Sequence, residues 1–356
     1  MAFSFFRKPR PLVGLDIGSS AVKAVELKPN GQGLKVAAFA TEPVPPEAIV
    51  DGAMIDGAAV ADSIRRLFER GPFKAREVVA SLSGNAVIVK KIALPIMTDQ
   101  ELAESIHWEA EQYIPFDIQD VNLDYQVLDR GAVESGKSTM DVLLVAAKKE
   151  KITNYTSVIA QAGRSAIVVD VDAFALQNAY EANYGIDASA VVALLNAGAS
   201  AINVNIVIGD QSVFTRDISL GGNAYTEALQ KDLNLPFEVA EQVKRGLPAE
   251  GVSLEDARVV LRATTENVLL EVQKTFDFFK ATTGLEHIDR LMLSGGGSRI
   301  DGFVEALHER FASPVERLDP FRQIGFDAAR FGVDPEDVAP TAAVAVGLAL
   351  RRVADR

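Results

Sequence analysis

Two stretches set 180 positions apart carry residue types suited to gripping an anion. The first is LVGLDIGSSAVKAVEL (Leu12–Leu27) and the second is VALLNAGASAINVNIV (Val192–Val207). Asp16 aligns with Asn196, Gly18 with Gly198, Ser20 with Ser200 and Val22 with Ile202. Without side chains, Gly18 and Gly198 let the backbone approach a ligand closely or adopt positive φ. Successive backbone N–H groups in such a turn form an anion-binding concavity. Ser19, Ser20 and Ser200 add hydroxyls, Ala199 adds backbone, and Lys23 lies within reach of an anion. Asp16, at a strand end, suits Mg²⁺ held through water, because Mg²⁺ uses few carboxylates and keeps several waters. A third cluster, Gly295-Gly296-Gly297, stands in DRLMLSGGGSRIDGFVEALHERF (Asp289–Phe311). Its bare backbone suits a flat ring or a phosphate, although it does not spell the dinucleotide pattern G-x-G-x-x-G. Any one of these segments also reads as an ordinary tight turn. Their occurrence at matched positions of two copies is what favours a shared ligand cleft.

These residues require particular elements to hold them. Each copy reads as a strand, a polar-x-Gly-x-Ser turn and a second strand, and Ile202 to Ile208 alternates with period two. A third strand follows in each half, LKVAAFATEPV after Asn30-Gly31 and QSVFTRDISL after Gly209-Asp210, both behind hairpin signals. Around the third cluster, Leu291 to Leu293 reads as a buried strand, and Phe303, Leu307 and Phe311 give a helix from Arg299 to Phe311. Two halves built alike imply a cleft between them, with one turn from each half pointing in.

Composition bounds the rest. A chain of 356 residues with 48% hydrophobic and 24% charged residues suggests about two domains with real cores. With 36 basic and 49 acidic residues the net charge is −13, which argues against nucleic acid as a main partner. There are 0 cysteines, so thiol chemistry and Cys-ligated zinc are excluded, and the 3 histidines are too scattered for a metal site. The N-terminal MAFSFFRKPRP lacks the long apolar run of a signal peptide. Ala188 to Gly209 carries no charge, but Asn196, Asn203, Asn205 and Gly198 argue for two buried strands rather than a membrane span. A cytoplasmic protein is expected. One motif is refused. GAVESGKS (131–138) matches the P-loop pattern, yet strand-like sequence stands on both sides of it, whereas a P-loop needs a helix after it. Replacing Lys137 by Ala is therefore expected to leave nucleotide binding intact.

The chain resembles the actin-like ATPases. LVGLDIGSSAVKAVEL is similar to their first phosphate motif, ALLNAGASAINVNIV to their second and LMLSGGGSRIDGF to their adenosine motif. ISLGGNAYTEALQKDLNLPFEVAEQVKRG (Ile218–Gly246) is similar to an element of the FtsA-like group. FSFFRKPRPLVGLDIGSSAVK, WEAEQYIPFDIQDVNLDYQVL and PTAAVAVGLALR resemble, within that group, the PilM family of type IV pilus assembly proteins.

The resemblance implies an α/β actin-like ATPase fold, with two ribonuclease-H-like domains around a nucleotide cleft and an FtsA-type inserted subdomain. The first domain would comprise 1–85, completed by 166–189 and 340–356. The insertion would span 86–165, the second domain 190–222 and 290–339, and a helical cap 223–289. The ligands implied are ATP and Mg²⁺. Asp16, Gly18, Ser19, Ser20 and Lys23 would face phosphate and metal, with Asn196, Gly198, Ala199 and Ser200 opposite. Gly222, Glu241, Lys244, Gly295, Gly296, Gly297 and Arg299 would face ribose and adenine. By spacing alone Glu241 and Lys244 also suit a solvated i, i+3 ion pair.

Asn196 departs from the Asp that many actin-like ATPases carry at this motif, and a neutral amide is a poorer metal ligand. ATP binding with slow or absent hydrolysis is therefore expected. Asp172, in VVDVDAFAL, is a candidate both for orienting water and for capping the helix that follows.

In the insertion, Thr98 to Glu101 forms a capping box. Leu102, Ile106, Ala110 and Tyr113 make the buried stripe of a helix that Pro115 ends, and Trp108 lies off that stripe. The resemblance implies that the cytoplasmic N-terminal peptide of the membrane protein PilN docks between the first domain and this insertion. It also implies other inner-membrane platform proteins and assembly ATPases as partners, a homo-oligomer or ring, and membrane contact only through partners. Two alternatives on the same fold are a small-molecule kinase or phosphatase and an FtsA-like filament-forming division protein. No convincing kinase base stands near the turns, and GLALRRVADR is too short for the terminal membrane helix of FtsA.

Overall fold

The computed structural model describes residues 12–50, 52–84, 86–130 and 138–352. The described residues start with a meander of β1 (Val13–Ile17), β2 (Ala21–Asn30) and β3 (Gly33–Pro43). A short pair, β4 (Ile49–Val50) and β5 (Ala53–Met54), leads to α1 (Gly57–Arg70) and β6 (Glu77–Leu82). Asp56 caps α1 by accepting the Ala59 N–H, and Val60, Ile64, Leu67 and Phe68 turn one face of that helix onto the sheet.

The chain then leaves the first sheet to build a smaller one from β7 (Val87–Pro95), α2 (Asp99–Glu111), β8 (Val121–Asp129) and β9 (Thr139–Lys148). It returns through α3 (Lys149–Gln161), β10 (Ser165–Val171) and α4 (Asp172–Tyr184). The second half opens with β11 (Val191–Ala197), β12 (Ile202–Ile208) and β13 (Gln211–Ile218). Three helices follow, α5 (Gly222–Leu233), α6 (Phe237–Lys244) and the long α7 (Leu254–Thr283). The chain then runs through β14 (Arg290–Ser294), α8 (Phe303–Phe311), β15 (Val315–Arg317), β16 (Ile324–Gly325), α9 (Ala328–Phe331) and α10 (Pro335–Leu350).

The 180-residue repeat is a repeat of topology. The first sheet has the order β10-β6-β1-β2-β3-β16 and the second β13-β12-β11-β14-β15. In each, three antiparallel strands join two parallel ones at the same central strand, β1 or β11. The register also repeats: Asp16 stands opposite Lys23 on β1–β2, and Asn196 opposite Asn203 on β11–β12. The uncharged run 188–209 is thus the β11–β12 hairpin, and its amides are paired. Asn205, for example, donates to the Ala173 carbonyl at 2.8 Å and accepts from the Ser212 hydroxyl at 2.7 Å.

Two boundaries differ from the sequence reading. The inserted sheet ends with β9, and α3, expected inside the insertion, instead packs Val158 and Ile159 into the core beneath α1. The segment 321–339, expected in the second half, belongs to the first. β16 pairs with β3, and Phe321, Ile324, Phe326, Phe331 and Val338 pack on Val25 and Phe39. Neither contact has a local signature, because each is made with residues far away in sequence.

Within the insertion the capping box is present on α2, and Leu102, Ile106 and Ala110 are buried. The helix stops at Glu111, so Tyr113 lies beyond it, and Trp108 is 73% exposed. The P-loop-like residues 131–137 lie outside the described residues. Their flanks, β8 and β9, are antiparallel partners, and the described residues resume in β9 rather than in a helix.

Candidate functional site

The two glycine turns are built the same way. Gly18 donates its N–H to the Ala21 carbonyl at 3.2 Å, and Gly198 donates to Ala201 at 2.9 Å. A Cβ on Gly18 would lie 3.1 Å from the Ala21 oxygen, and one on Gly198 would lie 3.0 Å from the Ala201 oxygen. Glycine eases that close approach, and neither residue has positive φ. The turns face each other: Ser200 Oγ lies 2.8 Å from Ser19 Oγ in a hydrogen bond that crosses from one half to the other. Behind that contact is a cleft of about 430 Å³, lined by both turns, α6, the third glycine cluster and the start of α10. That volume lies within the range of small-molecule sites, ~300–1,000 Å³.

At one end of the cleft Asp16 is paired with Lys23, with 2.9 Å between Oδ2 and Nζ. Asp172, Ser83 and Tyr155 also line this region. Burial, and the charge of Asp16 nearby, push the Asp172 carboxyl up to about 6 despite hydrogen bonds from Ser81 and Ser83. Asp172 does not cap α4. Val171 holds the cap position with no side-chain bond, and Asp172 is the first helical residue. Lys151 reaches the Ser83 carbonyl from α3, and burial lowers its pKa although Asp172 and Asp217 oppose that shift. Asn196 is tied to its strand neighbour, its Nδ2 lying 3.1 Å from Asn203 Oδ1.

At the other end the three glycines do different work. Gly295 has φ +84° and sits so close to β11 that a Cβ would lie 2.3 Å from the Ala197 carbonyl oxygen. A Cβ on Gly297 would press on Ala197 at 2.9 Å, whereas one on Gly296 would meet nothing within 4 Å. Gly296, which lines the cleft, is therefore backbone facing open space. The helix expected over Arg299–Phe311 is present as α8 from Phe303 to Phe311, and Arg299 instead ends a short 3₁₀ turn, Gly296–Arg299.

Lys244 is not a solvated partner of Glu241. It is buried and donates to the Gly222 carbonyl at 3.2 Å, to Thr226 Oγ1 at 2.8 Å and to Glu241. Burial lowers its pKa. Arg299 donates to Asp337 Oδ1 at 2.8 Å, and Arg245 reaches the same oxygen. The Nε of Arg299 is buried without an acceptor.

All the residues singled out in sequence for the turns, the cap and the glycine cluster line this one cleft, and Asp172 joins them. Sequence reasoning missed Arg245, Asp337, Phe237, Tyr155 and Ser83, which line it too. Asp337 comes from the first turn of α10 and Tyr155 from α3. Arg245 alone carried a hint, standing directly after Lys244.

Comparison with known proteins sets this cleft in context. A family model described as "Type IV pilus assembly protein PilM" matches residues 14–353. A solved PilM–PilN type IV pilus biogenesis complex contains a chain that superimposes with TM-score 0.84 at 30% identity, covering 98% of this chain and 100% of that one. The ethanolamine utilization protein EutJ from Carboxydothermus hydrogenoformans matches with TM-score 0.57 at 16% identity, covering 96% and 90%. MreB5 of Spiroplasma citri bound to AMPPNP matches with TM-score 0.53 at 16% identity, covering 96% and 95%. The last two share only the fold, which is that of the actin-like ATPases.

Proposed function

The chain belongs to the PilM family of type IV pilus assembly proteins, and from that premise we propose that its cleft takes Mg-ATP as a conformational ligand while its inserted sheet receives the N-terminal peptide of a PilN-type membrane protein. The observation that carries the nucleotide reading is the meeting of the two glycine turns at Ser19 and Ser200 over a glycine-floored cleft. Two features of this chain fit such a ligand. Gly296 presents bare backbone to open space, and the buried Nε of Arg299 has no acceptor within the protein.

In this reading the amides and hydroxyls of Gly18, Ser19, Ser20, Gly198, Ala199 and Ser200 hold the phosphates together with Lys23. Asp16 holds Mg²⁺ through water, and a cation there also relieves the repulsion between Asp16 and Asp172. Gly222, Glu241, Lys244, Gly295, Gly297 and Arg299 surround the nucleoside. The bound metal would supply charge neutralisation at the phosphates. Asn196 offers an amide already engaged with Asn203 where a carboxylate would favour water attack, so turnover is slow or absent.

The partner reading rests on the relative found with PilN. Two features of the inserted sheet support it. It keeps β7 and β8 as edge strands, which an extended peptide can join, and its helix α2 carries the exposed Trp108. Among the described residues no helix is long and apolar enough to cross a membrane. That fits a place at the cytoplasmic face of the inner membrane, reached through PilN, with further platform proteins, assembly ATPases and copies of itself as additional partners.

Calorimetric titration with Mg-ATP and capture by the immobilised PilN peptide test the two arms separately. Micromolar binding in each supports the reading. A folded protein that ignores Mg-ATP removes the first arm, one that ignores the peptide removes the second, and rapid steady-state hydrolysis removes the role as conformational ligand.

A further inference from the structure

The second glycine turn is linked to the root of the inserted sheet by three side chains in one cross-strand row. Asn196, Asn203 and Asp217 stand opposite one another on β11, β12 and β13. Asn196 Nδ2 donates to Asn203 Oδ1 at 3.1 Å, and Asn203 Nδ2 donates to Asp217 Oδ1 at 2.7 Å. The other carboxylate oxygen of Asp217 accepts the backbone N–H of Gly84. Gly84 lies just after β6, where the chain leaves the first sheet for the inserted one. The row thus runs from the turn Asn196–Ser200, through the second half, to the crossing that carries the insertion.

The direction of this chain of bonds is fixed by chemistry. An ionised carboxylate only accepts hydrogen bonds. Asp217 therefore turns the NH₂ of Asn203 toward itself, which leaves the Asn203 oxygen facing Asn196. Only a donor at position 196 can meet that oxygen. The matching row of the first half has different chemistry, Asp16 paired with the Lys23 ammonium, and needs no amide. An Asp at position 196 could bond Asn203 only if Asn203 flipped, and the flipped amide would then aim its oxygen at the Asp217 carboxylate.

We propose that Asn196 is a positioning residue: its amide supplies the donor that the polarity set by Asp217 requires, and so completes the Asn203–Asp217 relay that clamps Gly84, holding the second glycine turn and the root of the inserted sheet as one unit. The Asn that departs from the motif's usual Asp is then a requirement of the relay as well as a poor metal ligand. The relay does not depend on whether the cleft takes ATP, because every bond in it is made without ligand.

Polarity reversal tests it. Asp217→Asn alone allows both amides to flip together, the new amide at position 217 donating to Asn203 while its oxygen still accepts from Gly84. The same substitution rescues Asn196→Asp, which can work only with the reversed order. Hydrogen–deuterium exchange of the peptide containing the Gly84 amide, on the whole ligand-free protein, reads the result. Exchange is expected to quicken roughly tenfold in Asn196→Asp and in Asp217→Ala, as for loss of one charge-assisted bond. It should stay near wild type in Asp217→Asn and return to it in the double variant that combines Asn196→Asp with Asp217→Asn. Asp172→Asn, which also removes a negative charge close by, should not rescue. Unchanged exchange in Asn196→Asp or Asp217→Ala, or equal rescue by Asp172→Asn, overturns the proposal. Should Asn196→Asp fail to fold, a double variant that folds and keeps wild-type exchange at Gly84 supports the proposal, and a double variant that also fails to fold overturns it.

Discussion

Ser19 and Ser200 share a hydrogen bond of 2.8 Å although 181 positions separate them in the chain. Each hydroxyl stands at the tip of a glycine turn, and each turn belongs to a different half. The contact therefore reports the distance between the halves at the place where a ligand would divide them.

Its worth is measurable. A double-mutant cycle with Ser19→Ala and Ser200→Ala, followed by urea unfolding, should give a coupling of about 0.5–1.5 kcal/mol in the ligand-free protein. A coupling indistinguishable from zero would mean that the turns do not meet in solution.

The glycine cluster separates folding from binding. Gly295→Ala puts a side chain 2.3 Å from the Ala197 oxygen at φ +84°, and should cost several kcal/mol of stability, about 2–4. Gly296→Leu extends into open cleft, so its unfolding free energy should stay within about 0.5 kcal/mol of wild type, while on the proposed nucleotide reading the affinity for Mg-ATP falls at least about tenfold. Thermal unfolding and calorimetry of both variants check the contrast.

Asp172 makes stability depend on pH. Its folded value of about 6 lies above the ordinary 3.8, so the protonated form is favoured in the folded state. The associated stability is fully present below the unfolded value and is lost as pH rises through about 6. Asp172→Asn should therefore be more stable than wild type at pH 7.5, by at most about 2–3 kcal/mol, with the advantage fading by pH 4. Urea denaturation at the two pH values decides, and an advantage that grows on acidification would show the sign to be wrong.

The axis of the first half tolerates no added methyl. Gly347 on α10 packs so tightly on α4 that a Cβ would lie 1.7 Å from the Ala175 carbonyl oxygen. Gly347→Ala should destabilise by about 3 kcal/mol, seen as a lowered urea midpoint, whereas Gly33→Ala, with its nearest neighbour 3.8 Å away, should cost far less.

How much of this was readable in advance follows from the range of the interactions. The two hairpins were legible because alternation, glycine and serine act within a few residues, and Gly18 and Gly198 satisfy their turns locally. Likewise the capping box of α2 needs only Thr98 and Glu101. The bond between Ser19 and Ser200 was implied only through the repeat. Asp337 and Tyr155 gave no signal, because they reach the cleft from helices whose own patterns report only burial. The return of α3 to the first core was hidden for the same reason. Asn196 was legible as an oddity, but its reason lies in Asp217, on another strand of the same sheet.

The helix α10 has a consequence for the order of assembly. It covers β1, β2 and α4, while its first turn meets Arg245 and Arg299 and its Pro340 carbonyl accepts the Gly295 N–H. The sheet face that carries Gly14, Val25 and Val79, synthesised before α10, thus waits for residues 335–350 before it is sheltered. A nascent chain halted earlier leaves that face bare and sticky, a target for chaperones, and the two lobes gain their common spine only when this long helix emerges.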